Sequence, residues 1–315
     1  MVDLSNWVEV GPKVGSVKIY PFLDYIRFLD SITALVGHEF WNVSEQIIVA
    51  NIHKKTDHTP RNKITEPVQI QRLLDIMESA WLHELALRDS LEKNNIKFVH
   101  WDIIKFYYII FDCVSIIARI AQPELKETTH YKKIEVYNKS ILANNCIKKM
   151  VITPFFALYG EKCPLLEANK ITGWKYGQNH HYPRLKDCLE KTYEEIRLDM
   201  QRRNGARIEL VSVVDFFNLL RIFANYKGTH IIKYLHGQSY KEDLTHALKK
   251  IPLYFLIMTE LILIRYIGFE EFKKTFGVFK LALISNHKHD PIQISDRMAM
   301  YDIIFGGQNT LNMKI

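Results

Sequence analysis

The chain has 315 residues, of which 48% are hydrophobic and 24% are charged, and its formal net charge is +7 at pH 7. This composition excludes a disordered tail and a fibrous protein, and a chain of this length can bury an apolar core without disulfide bonds. The excess of 42 Lys and Arg over 35 Asp and Glu is compatible with a phosphate-bearing partner and equally with an ordinary charged surface.

Glycine and proline are sparse, and the stretches that lack both predict long helices. In chain order, the predicted helices are Ser16–Val36, the short Ser44–Ile52, Val68–Lys93, Trp101–Ile120, Arg184–Arg203, Glu209–Tyr226 and Tyr240–Ile267. The region Thr153–Pro183 is predicted to be irregular, and the tail from Asn286 to be loop and short helix. Because no run of alternating apolar residues predicts a sheet, the expected fold class is all-α.

Neither a membrane span nor a secretory leader is expected. The longest apolar run, Ile251–Gly268, is interrupted by Glu260 and Arg265, which would be costly at the centre of a bilayer. Met1–Val10 lacks the apolar segment of a signal peptide, so a cytoplasmic location is expected. The chain has no P-loop, dinucleotide-binding glycine motif, nucleophile elbow or zinc-protease motif, and no CxxC pair, so neither a cofactor nor a metal is predicted.

The helix Trp101–Ile120 is apolar except for one polar stripe. Lys105, Asp112, Ser115 and Arg119 fall on that stripe when residues are placed about 100° apart. A helix of this kind is surrounded by protein on most sides. The stripe therefore either reaches solvent or lines an internal polar site.

The later helix around Arg221 carries its polar residues on one face. Asn218 and Asn225 lie on either side of Arg221 on that face, which also carries Asp215. A guanidinium beside amides suits a phosphate, because its donors match two phosphate oxygens. The alternative is a solvated face on which Arg221 forms an ion pair with Asp215.

The densest basic run lies just before this helix. It contains Arg202, Arg203 and Arg207. These arginines are candidate contacts for an RNA backbone, to which they would add salt-dependent affinity. The alternative is a solvated helix end, where cations also suit the helix dipole.

Three segments carry a resemblance to a known family. Phe106–Ile117 resembles the YYAxFxAxxxLL helix of the HEPN superfamily, Thr129 and His130 resemble its TH pair, and Leu219–Tyr226 resembles its LxxLRxxADY helix. The resemblance implies a small helical bundle, often a homodimer with the arginine helices at the interface. It also implies a role in toxin–antitoxin or phage-defence systems, either as a metal-independent ribonuclease or as a non-catalytic binding module.

The resemblance covers roughly Val68 to Tyr240 and sets the expected organisation. Residues 1–65 form an N-terminal irregular and helical segment. Residues 66–240 form the HEPN-like core, with an insertion near residues 151–183, and residues 241–315 form a C-terminal helical extension packed on that core.

The resemblance also implies a site centred on Arg221, which would hold a phosphate while His230 or His130 handles protons and Tyr226 positions the substrate. Active family members carry a histidine a few residues after the arginine, whereas here Tyr226 falls in that window and His230 follows it. The candidate nucleic-acid contacts are Asn218, Asn225, Arg202, Arg203, Arg207 and Arg119.

The function predicted from these residues is a HEPN-like defence or toxin protein that acts on RNA, as a metal-independent endoribonuclease with a composite dimer site. The alternative is a non-catalytic module that binds a nucleotide, a nucleic acid or a protein partner. The expected partners are RNA, a second copy of the chain, and an antitoxin or another protein of a defence system.

Overall fold

The computed structural model describes residues 24–35, 64–92, 99–125, 129–143, 158–161, 181–202, 208–227, 238–287 and 292–306. Most of these residues are helical, so the predicted all-α fold class is confirmed. The short predicted helix Ser44–Ile52 and most of the irregular region Thr153–Pro183 lie outside the described residues.

The described helices are α1 (24–35), α2 (Pro67–Glu92), α3 (Val99–Ala121), α4 (His130–Ala143), α5 (His181–Arg202), α6 (Val213–Lys227), α7 (Gln238–Ile267), α8 (Phe269–His287) and α9 (Ile292–Tyr301). A π-helical turn, Asp302–Gly306, follows α9. Two short strands, β1 (Leu158–Tyr159) and β2 (Val211–Ser212), pair antiparallel. Since β2 leads directly into α6, this pairing fixes where α6 starts.

Helix α3 lies at the centre of the described fold. It packs against α2, α4, α6 and α7. Its sequence is apolar almost all round, and side chains such as Phe106, Ile110 and Ile117 are fully or almost fully buried. Each buried side chain of this size contributes roughly 1.5–3 kcal/mol relative to an exposed one. Helix α3 is therefore the rigid support on which the neighbouring helices are positioned.

The polar stripe of α3 faces α2. Asp112 accepts a hydrogen bond from Ser79 of α2 at 2.9 Å, and Lys105 donates to the carbonyl oxygen of Ala86 at 3.3 Å. Ser115, further along the stripe, is only 2% exposed. The stripe is thus largely covered by a neighbouring helix, so open solvent does not explain it.

Helix α6 is held from two sides. On one side, the ring of Tyr25 in α1 lies 5.5 Å from the rings of both Phe216 and Phe223. On the other side, Phe217 packs edge-on against Phe106 of α3 with 5.2 Å between ring centres. These contacts fix the rotation of α6 and hence the direction in which its polar face points.

The corner between α7 and α8 depends on one glycine. Gly268 has φ +96°, a left-handed conformation that an L side chain rarely adopts, and its N–H donates to the carbonyl oxygen of Ile264 at 2.8 Å. This geometry ends α7 and lets α8 begin at the next residue.

Helix α7 contains the longest apolar run of the sequence, with Glu260 in its middle. Glu260 is 1% exposed and accepts hydrogen bonds from Trp81 and Arg297, so the carboxylate is held inside the protein by donors of other helices. Among the described helices, none has the length and apolar character needed to cross a bilayer.

Candidate functional site

A capping box starts α6. The Oγ of Ser212 accepts a hydrogen bond from the N–H of Val214 at 3.2 Å, and the Oδ2 of Asp215 accepts one from the N–H of Ser212 at 2.8 Å. This reciprocal arrangement satisfies donors that a helix start otherwise leaves unpaired. It places the helix start at Val213, four residues later than the predicted Glu209.

Asp215 also ties α6 to α4. Its Oδ2 accepts a hydrogen bond from the Nδ2 of Asn138 at 2.9 Å. Burial raises the pKa of Asp215 to about 6, although the hydrogen bonds from Ser212 and Asn138 act in the opposite direction. Its partners are thus neutral groups, and the ion pair with Arg221 considered from the sequence does not form.

Arg221 lies two turns further along α6 and is partly exposed. Its Nε and Nη2 donate to the Oδ1 of Asn218 at 3.3 and 3.2 Å. Its guanidinium carbon lies 5.1 Å from the centre of the Tyr107 ring, a cation–π contact. Within the part of the chain that the structure describes, no carboxylate pairs with Arg221, so nothing there neutralises its charge.

Tyr107 connects Arg221 to His130. The Tyr107 side chain is fully buried, and its hydroxyl oxygen lies 2.7 Å from the Nδ1 of His130. The imidazole of His130 stacks on the ring of Phe111, with 4.0 Å between ring centres and 9° between planes. The structure thus brings together Arg221 and His130, which 90 residues separate in the sequence.

His130 is uncharged at neutral pH. Burial, together with the nearby positive charges of Arg221 and Lys133, lowers its pKa to about 4. Burial also raises the pKa of Tyr107 well above its usual range, so the phenol keeps its proton. A phenol is a stronger acid than a neutral imidazole N–H, so we assign Tyr107 as the donor to Nδ1, which leaves the imidazole proton on Nε2.

Of the predicted nucleic-acid contacts, only Asn218 and Asn225 share α6 with Arg221. Asn218 is fully buried and orients the guanidinium, whereas Asn225 is exposed. Arg119 is 2% exposed and donates to the carbonyl oxygen of Leu125 at 2.8 Å, so the structure gives it a role in holding the turn after α3 in place of the predicted surface contact. It lies about 18 Å along α3 from Tyr107.

Several predicted site residues fall where the structure gives no side-chain position. Arg202 is the last residue of α5 and Tyr226 lies within α6, and both side chains are outside the described residues. His230, Arg203 and Arg207 lie outside the described residues altogether.

Tyr107 was not among the site residues predicted from the sequence. The side chain is indeed buried, but its hydroxyl and ring face also link the two polar residues of the site. The adjacent pair Tyr107 and Tyr108 was a usable signal, because a buried tyrosine hydroxyl needs a hydrogen-bond partner.

A cavity of about 300 Å³ lies beside this site, between α4, the end of α5 and residues 208–210. Asn138 and Asp215 line it, Ile196 contributes an apolar wall, and Lys132 and Lys139 also border it. The Oδ1 of Asn138 is buried without a hydrogen-bond partner. Among the described residues, no group of His, Cys, Asp or Glu side chains has the arrangement of a metal site.

Three comparisons with known proteins leave the function to be argued from this geometry. No protein-family model matches the chain, and no curated protein or solved structure is significantly similar to it.

Proposed function

We propose that the protein is a HEPN-like defence or toxin protein that cleaves RNA without a metal ion. The observation that carries the proposal is the convergence of Arg221, Tyr107 and His130 in one cluster. The guanidinium of Arg221 is partly exposed and has no carboxylate partner among the described residues, so it attracts an anion, and the phosphodiester of RNA is an anion that guanidinium donors fit well.

In this proposal, Arg221 and His130 act on the phosphate. Attack of the 2′-hydroxyl on the adjacent phosphorus builds negative charge on the non-bridging oxygens. Arg221 would stabilise that charge as a cation, and His130 would donate its Nε2 proton as a hydrogen bond while staying neutral. Tyr107 fixes both groups, since it contacts each of them from a buried position.

The composite dimer site belongs to the same proposal. Helix α6 keeps Arg221 and Ile222 partly exposed, although its other faces are packed. A second copy that docks on this face would bring two Arg221 side chains to one cleft. RNA and a second copy are thus the proposed partners, and an antitoxin or another defence protein would bind the same exposed part of α6.

The experiment is a cleavage assay with labelled single-stranded RNA and tRNA in the presence of EDTA. Wild type is expected to cleave RNA into products with a 2′,3′-cyclic phosphate and a 5′-hydroxyl, and Arg221→Ala is expected to be inactive. The matched control is Arg197→Ala, which removes an exposed arginine that pairs with its own helix neighbour Glu194. Absence of cleavage by wild type would contradict the proposal.

A second candidate function is a non-catalytic module that binds a nucleotide in the cavity beside Asp215. The lining of this cavity favours it, because Asn138 and Asp215 carry amide and carboxyl groups of the kind that hydrogen-bond a nucleobase. Met200→Trp would fill the cavity and abolish nucleotide binding measured by calorimetry. Leu198→Trp, on the exposed side of the same helix, is the control and should bind normally.

A further inference from the structure

A second polar cluster lies on the same side of α3 as Tyr108. The Oδ2 of Asp112 accepts hydrogen bonds from the Oγ of Ser79 at 2.9 Å and from the Nδ1 of His83 at 3.1 Å. The side chain of His83 is 35% exposed, and that of Asp112 is 14% exposed. The carboxylate is therefore held by α2 while the imidazole it contacts reaches the surface.

The hydrogen bonds assign different chemistry to the two histidines. A carboxylate can only accept, so the contact with Asp112 places the imidazole proton of His83 on Nδ1 and leaves a lone pair on Nε2. In His130, the contact with Tyr107 places the proton on Nε2 instead. The Nε2 of His83 can therefore accept a proton, whereas the Nε2 of His130 carries a proton and can only donate a hydrogen bond.

Both histidines contact one tyrosine. The ring of His83 stacks on that of Tyr108, with 5.5 Å between ring centres and 24° between planes. His130 meets the same Tyr108 ring edge-on at 6.0 Å, and Tyr107 lies 5.6 Å from it. The partly exposed ring of Tyr108 thus connects the two clusters, so an RNA strand bound at Arg221 would have to pass Tyr108 to reach His83.

We propose that His83 is the general base of the RNA cleavage proposed above and that Asp112 positions it; this assignment rests on that proposed function. The Nε2 of His83 takes the proton of the 2′-hydroxyl as the 2′-oxygen bonds to phosphorus and the bond from phosphorus to the 5′-oxygen breaks. The 5′-oxygen takes a proton from water, and the hydroxide so formed takes the proton from His83. No net water is consumed, and the products are a 2′,3′-cyclic phosphate and a 5′-hydroxyl.

The charged and titratable groups that face His83 come from three elements. Asp112 and Tyr108 of α3 contact His83 directly, and His130 of α4 contacts the same Tyr108 ring. On the helix of His83 itself, Ser79 shares the carboxylate of Asp112. Asp112 is thus the group that fixes the imidazole, and it acts on RNA only through His83.

The test uses His83→Asn, because the asparagine amide can still donate to Asp112 while offering no base. The cleavage rate is expected to fall about 100-fold or more, the usual contribution of a general base. His100→Asn is the matched control, since His100 lies at the start of α3 beside Trp101 and is expected to leave the rate unchanged. Imidazole added to His83→Ala should restore part of the rate.

Asp112→Asn tests the positioning role separately. It should lower kcat and leave KM unchanged, and it should add no further loss to His83→Asn, because the two residues act as one unit. Full activity of His83→Asn beside an inactive Arg221→Ala overturns the assignment of His83 and leaves the proposed function standing. A wild type that cleaves no RNA overturns both. Equal losses in His83→Asn and His100→Asn also overturn the assignment.

Discussion

Two arginines of this protein have opposite surroundings. Arg297 of α9 is 1% exposed and donates four hydrogen bonds to the carboxylates of Glu84 in α2 and Glu260 in α7. Arg221 of α6 is partly exposed, and among the described residues it donates to the amide oxygen of Asn218 alone, with the ring of Tyr107 beneath its guanidinium. Both side chains are held in place, but only one of them has its charge neutralised.

The difference separates a structural arginine from a functional one. A buried charge is costly unless it is paired, and the two carboxylates around Arg297 meet that need completely. Burial alone would raise the pKa of Glu84, but the ion pairs with Arg297 and Arg88 outweigh it and hold that pKa below its ordinary value. Arg221 is oriented by neutral groups, which leave its charge available to an anion.

The largest expected effect is loss of stability on Arg297→Met. Of the partners in the described part of the chain, this change leaves the buried carboxylate of Glu260 the neutral donors Trp81 and Tyr301, and it leaves Glu84 the cation Arg88. The free energy of unfolding, measured in urea, is expected to fall by roughly 3–5 kcal/mol, the usual cost of breaking a buried pair.

Replacing the whole network is the control for this prediction. A triple variant with Glu84→Gln, Glu260→Gln and Arg297→Met carries no charge at these three buried positions and should recover much of the lost stability. A loss below about 1 kcal/mol for Arg297→Met alone would contradict the view that the pair is fully buried.

Arg221→Ala should show the opposite pattern. Because Arg221 makes one cation–π contact and two hydrogen bonds to an amide, its removal is expected to cost only about 1 kcal/mol of unfolding free energy. RNA cleavage should fall about 100- to 1000-fold, as for other groups that stabilise transition-state charge. Urea unfolding and the cleavage assay, run on one preparation, measure both.

Arg221→Lys sharpens the distinction. It keeps the positive charge but loses the planar pair of donors, so it should retain part of the RNA affinity and little of the cleavage rate. A large loss of stability in either Arg221 variant would mean that this arginine, like Arg297, holds the core.

Asp215 and His130 should give stability opposite dependences on pH. The folded-state pKa of Asp215 is raised to about 6, so its contribution is present at low pH and is lost as the pH rises through 6. The folded-state pKa of His130 is lowered to about 4, so its contribution is present above pH 6.5 and is lost as the pH falls towards 4. The two trends partly cancel in wild type.

Single variants separate the two trends. The free energy of unfolding is measured in urea at each pH. From pH 4 to pH 7, that of Asp215→Asn should rise relative to that of wild type by roughly 2 kcal/mol. When the pH is lowered from 7 to 4, the free energy of unfolding should fall less in His130→Gln than in wild type. If the free energy of unfolding depends on pH in the same way in wild type and in Asp215→Asn, burial does not raise the pKa of Asp215.

The long helices were predictable from sequence because they depend on local pattern. Val68–Lys93 and Trp101–Ile120 were predicted from periodicity and from the lack of Gly and Pro, and α2 and α3 begin and end within two residues of those bounds. The start of α6 was predicted four residues early. Ser212 and Asp215 have the spacing of a capping box, and this local motif indicates the correct start.

The sites were only partly predictable, because they depend on contacts between distant segments. Arg221 was a candidate because of the polar face of its helix, and His130 because of the family resemblance, but the link through Tyr107 is a tertiary contact. The pairing of Arg297 with Glu84 joins residues 213 positions apart, and no periodicity signals it. For Arg119, the sequence left open whether its stripe reaches solvent or an internal polar site, and the structure shows this arginine buried with a hydrogen bond to the carbonyl oxygen of Leu125.

The smallest effect tests the comparison most directly, because it converts one arginine environment into the other. Asn218→Asp places a carboxylate where the amide oxygen now contacts Nε and Nη2 of Arg221, so that Arg221 becomes paired as Arg297 is. The same substitution removes the Nδ2 of Asn218, which is buried and has no hydrogen-bond partner among the described residues. RNA affinity should fall about tenfold, or roughly 1.4 kcal/mol, although the arginine is still present.

Asn225→Asp is the matched control, since it adds the same charge to an exposed position of the same helix. If both variants lose affinity equally, the loss reflects only the added negative charge near RNA. A loss confined to Asn218→Asp would show that an uncompensated guanidinium, held by an amide on a buried tyrosine, is what binds the phosphate.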